Sequence, residues 1–185
     1  MSEQNRHPDN IEELLHQEAV EIFGPERMAQ LQGHEATEES TQELINAVSA
    51  LCAEPVSTEH HGLHFRDLQR SKGKPLHIKT NPTGITGFGD NQADAATVSI
   101  SNLKSGRAPR PRHYPPFGYE FQESIFVDHD GVAKIGRAVW ARLGNVTQPS
   151  AVKRASEDEI QEALDILADA VHYHDELNAK TESAK

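Results

Sequence analysis

Residues 117–143 read FGYEFQESIFVDHDGVAKIGRAVWARL. From Phe117 to Val127 the apolar side chains Phe117, Tyr119, Phe121, Ile125 and Val127 fall on odd positions, with Gly118, Glu120, Gln122 and Ser124 between them. A period of two marks a half-buried strand. The same parity returns in Ala133, Ile135, Val139, Ala141 and Leu143. Each run has one exception on its apolar face, Glu123 in the first and Arg137 in the second. A loop of two or four residues would pair odd with even and set Ile125 and Phe121 on the face of Lys134 or Gly136. A three-residue loop, His129-Asp130-Gly131, pairs odd with odd and supplies Gly131 where a left-handed residue is needed. Asp128 then faces Val132, Ile125 faces Ile135, Phe121 faces Val139, and Glu123 falls opposite Arg137. The charge pair is expected either as a structural pair or as a site for a polar ligand inside the sheet.

Three further alternating runs precede this hairpin: Leu63 and Phe65, Leu76 and Ile78, then Ala96, Val98 and Ile100. They predict a meander of about five strands over 60–145, neighbours in sequence being neighbours in the sheet. Helical spacing flanks it. Asp9 and Glu12 form a capping box ahead of Ile11, Leu14, Leu15, Ala19, Ile22 and Phe23. Gly24-Pro25 breaks that helix, and a short second piece ends near Gly33. Ser40 and Glu43 suggest another capping box before Leu44, Ala47, Val48 and Leu51, with Pro55 as the stop. Ser156 and Glu159 open the clearest helix, whose stripe runs from Ile160 to Leu177 and includes His174. The expectation is an α+β domain over 9–178, helical over 9–54 and 156–178, with flexible tails at 1–8 and 179–185.

Composition narrows the function classes. The chain has 185 residues and a net charge of -11, with mean hydropathy -0.66. No run approaches the roughly 20 apolar residues of a membrane span, and the start of the chain has no secretory pattern. Cys52 is the single cysteine, which excludes an internal disulfide and a thiolate zinc cluster. A cytoplasmic protein is expected. The charge is uneven: residues 1–54 carry 2 basic and 12 acidic side chains, 55–150 carry 12 and 8, and 151–185 carry 4 and 9.

A meander sorts its loops by end. One end collects Arg70, Lys72, Lys74, Lys104, Arg107, Arg110 and Arg112. There the alternating Arg and Pro of residues 107–116 favour an extended segment with separated guanidinium groups, and Tyr114 is available for stacking. The other end collects Asp90, Asp94, Asp128 and Asp130 with His60, His61 and His129. These are metal-ligand types, and His60, His61, Asp128, His129 and Asp130 form the candidate set, with His64 nearby. Their spacing matches no known ligand motif, and Asp128–Gly131 is accounted for as turn chemistry. Thr83–Gly89 is rich in glycine but lacks the Gly-Lys-Ser/Thr ending of a phosphate loop.

These features favour a non-enzymatic binding or regulatory protein. Its macromolecular partner, a protein sooner than a nucleic acid, would be met through Arg107, Arg110, Arg112, Tyr114, Arg70, Lys72 and Lys74 or through an acidic helix face. The alternative is a small metal-assisted hydrolase at the His/Asp end. No cofactor is expected outside that alternative, which would take a divalent metal.

Overall fold

A computed structural model describes residues 11–29, 34–60, 62–82, 96–108, 118–141 and 150–185. The described chain forms helices α1 (Ile11–Phe23), α2 (Pro25–Ala29) and α3 (Glu38–Cys52). Strands β1 (Thr58–His60), β2 (Leu63–Leu68), β3 (Leu76–Thr80), β4 (Val98–Ala108), β5 (Tyr119–Val127), β6 (Ala133–Ala141) and β7 (Ser150–Arg154) follow, and helix α4 (Glu157–Ser183) closes the order. Each strand pairs antiparallel with the next, so the seven-stranded sheet runs in chain order. The architecture is the α+β meander with terminal helices, but with seven strands where about five were expected. The two extra strands are the edges. β1 is three exposed polar residues with no apolar face to read. β7 turns Ala151 and Lys153 toward the core, and a buried lysine hides the alternation.

The β5–β6 register has Ile125 opposite Ile135, Glu123 opposite Arg137 and Phe121 opposite Val139. The Asp128 amide donates to the Val132 carbonyl at 3.0 Å, closing the three-residue loop. Gly131 has φ +76°, and a Cβ there would meet nothing within 4 Å. Gly131→Ala therefore costs only the left-handed backbone, about 1–2 kcal/mol by urea denaturation. A neutral result would show that the loop relaxes to another turn.

All helices lie on one face of the sheet. Ala19 and Phe23 of α1, Leu44, Val48 and Cys52 of α3, and Ile160, Ala163 and Leu167 of α4 share one buried cluster with the inward strand residues. Its spine is a register row across the sheet, Ile78–Ile100–Ile125–Ile135, ended by two buried cations, Arg66 on β2 and Lys153 on β7.

Several boundaries differ from expectation. Thr37, not Ser40, caps α3: its side chain accepts from the Ser40 amide at 3.1 Å. α4 has the expected Ser156–Glu159 capping box but continues past 178 to Ser183. There the Thr181 and Ser183 hydroxyls donate to the carbonyls of Leu177 and Ala179. β4 runs through Ala108, so Lys104 and Arg107 belong to a strand and not to a loop. Four positions from Ile100 to Lys104 span only Ile125 to Glu123 on β5, a bulge where Asn102 takes φ 63°. Asp9, Gly33, Ala141's side chain and the glycine-rich 83–89 lie outside the described residues.

Candidate functional site

Even residues of β4 face the helices on both sides of the bulge, and the two extra residues there set Lys104 opposite Glu123, in the same row as Arg137. Glu123 is 0% exposed. Arg137 donates to it through Nε at 2.7 Å and through Nη2, and Arg27 of α2 closes on the same carboxylate with Nη1 and Nη2. Arg27 also reaches Glu159 of α4, at 2.9 Å from Nε and 2.7 Å from Nη2. Glu159 in turn accepts from Lys153 at 2.5 Å and from the Ser156 amide at 3.0 Å. Phe23 packs under the cluster, its ring centroid 5.3–5.5 Å from Arg27, Arg137 and Lys153, and Phe121 stacks on Arg137 at 4.2 Å.

Five charged side chains from α2, β5, β6, β7 and α4 thus form one network. Burial alone would raise the pKa of Glu123, but the hydrogen bonds and charge of Arg27, joined by Arg137, hold it below the ordinary carboxylate range. Glu159 is lowered in the same way, against burial, by Lys153, the Ser156 amide and Arg27. Burial lowers the Lys153 pKa, and Glu159 only partly restores it. Both carboxylates are therefore ionised at neutral pH and unsuited to donate a proton. A cleft of about 810 Å³ opens over this network, between Phe23–Arg27 on one side and Ser156–Glu162 on the other, with Lys104 and Lys153 in its wall. Its size is that of a small-molecule site.

The opposite face of the sheet carries no helix among the described residues. One register row across it reads Phe65–Lys79–Ser99–Phe126–Lys134–Arg154. A second reads Arg107–Glu120–Trp140. Lys74 lies 5.6 Å from the Trp140 ring centroid. Lys134 pairs with Asp128 at 2.7 Å and Arg154 with Glu35 at 2.9 Å, whereas Lys79 and Arg107 have no ion-pair partner among the described residues.

The residues singled out from the sequence divide as follows. Arg110, Arg112, Tyr114, His61, Asp90 and Asp94 lie outside the described residues. Arg107 is exposed on the helix-free face, and Lys72 and Lys74 are exposed in the β2–β3 turn. Arg70 is held by backbone: it donates to the carbonyls of Lys74 at 2.7 Å, Asn102 at 2.9 Å and Leu103 at 3.3 Å, strapping that turn to the bulge. Lys104 pairs with Glu162 at 2.6 Å. At the other end Asp128 accepts from the amides of Asp130 at 3.0 Å and Val132 at 2.9 Å, with Lys134 as its counter-ion. His129 lies 3.3 Å from Asp130, and His60 is exposed on β1. His64, Asp128 and His129 line a cleft of about 490 Å³. Among the described residues no group of three or more His, Cys, Asp or Glu is placed to hold a metal ion. Cys52 is buried, and burial pushes its thiol up to about 11 against the lowering effects of Arg66 and Thr80, as befits inert packing.

Sequence reasoning placed Glu123 and Arg137 together and missed Arg27, Lys153 and Glu159 as their companions. Comparison with protein-family models, curated proteins and solved structures finds no match for this chain.

Proposed function

We propose that this chain is a non-enzymatic binding protein of the cytoplasm, one that docks an acidic segment of a partner protein on the helix-free face of its sheet. The observation that carries this reading is the separation of charge between the two layers. The helices hold four acids in α1, one in α2, three in α3 and nine in α4, against only Arg27 and Lys180 as bases. The helix-free face holds Lys79, Arg107, Lys134 and Arg154, with Lys74 beside Trp140, against Asp67 and Glu120. An acidic partner is repelled by one layer and drawn to the other, which fixes its orientation. Phe65, Phe126 and Trp140 supply apolar area among those cations.

The partner is a protein sooner than a nucleic acid because two of the cations are already matched to carboxylates, Asp128 and Glu35. The remaining free cations are few, and nucleic-acid affinity depends on how many phosphates are neutralised. Arg107, on β4, is also the first residue of the Arg/Pro stretch 107–116 in sequence. The lone thiol of Cys52 suits a reducing compartment, and among the described residues no helix is long and apolar enough to cross a membrane.

Fluorescence anisotropy tests this reading with two labelled probes, an acidic peptide containing aromatic residues and a single-stranded oligonucleotide of equal charge. The peptide binds in a salt-dependent manner, and Lys79→Glu with Arg107→Glu weakens it by about tenfold or more, roughly 1.4 kcal/mol. Both positions are away from the core, so the melting temperature is unchanged. Tighter binding of the oligonucleotide, or an unaltered peptide affinity in the double variant, overturns the proposal.

A further inference from the structure

We infer that the cleft between α2 and the start of α4 is a binding site for a small zwitterion of the amino-acid class, whose carboxylate meets Arg27 and Lys153 and whose ammonium group meets Glu26 and Asp158. The site is separate from the sheet surface proposed above, on the opposite layer of the molecule.

Charge on the inner side is unbalanced. Arg27, Arg137 and Lys153 face only Glu123 and Glu159, leaving one positive charge over. Lys153 has 2% side-chain exposure and Glu123 has 0%, so water compensates that excess poorly. Hydrogen-bond capacity is left over as well. A lysine ammonium has three donors, and Lys153 uses two of them, on Glu159 at 2.5 Å and the Arg154 carbonyl at 3.3 Å. A guanidinium has five, of which four of Arg27's serve Glu123 and Glu159. One N–H therefore remains on each of two adjacent cations, and a carboxylate has two oxygens to accept them.

The outer side has the reverse sign. Glu26 and Asp158 line the mouth, are exposed, and have no ion-pair partner among the described residues. Lys104 and Glu162 at the wall satisfy each other at 2.6 Å. A simple anion would answer the inner excess and meet repulsion at the mouth, and a simple cation the opposite. A molecule that is negative at one end and positive at the other complements both. The volume of about 810 Å³ accommodates an amino acid with its side chain against Phe23.

Isothermal titration calorimetry on the full chain compares the common amino acids with acetate and methylammonium. At least one amino acid binds saturably and at least about tenfold tighter than acetate, and methylammonium does not bind. Glu26→Gln with Asp158→Asn changes exposed groups only, and it abolishes the preference for the amino acid while leaving acetate binding in place. Lys153→Met removes both, with circular dichroism as the check on folding. Lack of saturable binding by every amino acid, equal affinity for acetate, or a preference that survives the Glu26/Asp158 double variant overturns the inference. None of these readings depends on the sheet-face variants, which leave calorimetric binding unchanged.

Discussion

Replacing Glu123 with glutamine lowers the free energy of unfolding by about 3–5 kcal/mol, because two guanidinium groups then share a buried site with no carboxylate between them. Glutamine keeps the size and one acceptor oxygen, so the loss reports charge and not a cavity. Arg27 and Arg137 both aim at this side chain, which is 0% exposed, and neither can turn to bulk water without breaking its other contacts, Glu159 for Arg27 and the Ile22 carbonyl for Arg137. The double variant Glu123→Met with Arg137→Met removes one charge of each sign and is destabilised by less than the sum of its single changes, with a coupling of about 1–3 kcal/mol. Acid dependence follows the same groups. Glu123 and Glu159 have folded pKa values below the ordinary range. Their stabilisation is complete above the unfolded carboxylate pKa, about 4.3, and is lost as pH falls through the lowered folded values. Glu123→Gln carries one of these two groups fewer, so its stability declines less steeply with acid than that of the parent. Urea titrations at neutral and acid pH measure both effects. A loss below about 1 kcal/mol at neutral pH would mean that the cluster is hydrated rather than buried.

What was legible in the sequence follows a physical pattern. The β5–β6 hairpin could be read because both partners lie in one short stretch and their only two departures from parity cancel across the register. The capping box of α4 was legible for a similar reason: Ser156 and Glu159 are three residues apart. Contacts between distant segments leave no such local mark. Arg27 sits on a five-residue helix behind Gly24-Pro25, and its carboxylates lie 96 and 132 positions away. Lys153 made residues 150–154 look unlike a strand, when in fact a charge pointing inward was the signal of a partner there. The bulge at Asn102 inserts two residues into β4 and keeps its parity, so Lys104, which reads as loop in sequence, stands in the interior row in space. Arg70 was grouped with the free cations by its position at the basic end. Nothing in its neighbourhood in sequence shows that three carbonyls, two of them from the bulge, occupy its guanidinium.

Ile125→Ala lowers stability by about 2–5 kcal/mol, the range for emptying a fully buried isoleucine site. Ile125 is 0% exposed and stands at the middle of the row Ile78–Ile100–Ile125–Ile135, with β4 and β6 hydrogen-bonded on either side. Strands fixed by ladders on both edges cannot close the gap by sliding together, so the upper part of the range is expected. Ile125→Val, which removes one methylene, costs about 0.5–1.5 kcal/mol. Val152 on the edge strand offers the contrast: it is 51% exposed on the helix-free face, and Val152→Ala stays within about 0.5 kcal/mol. The order of the three variants discriminates more sharply than any one value. A layer of helices on one side only requires inward Ile125 to dominate outward Val152 by several kcal/mol. Comparable losses at the two positions in urea denaturation would mean that the second face is covered as closely as the first, and an acidic partner would then have no bare surface to approach.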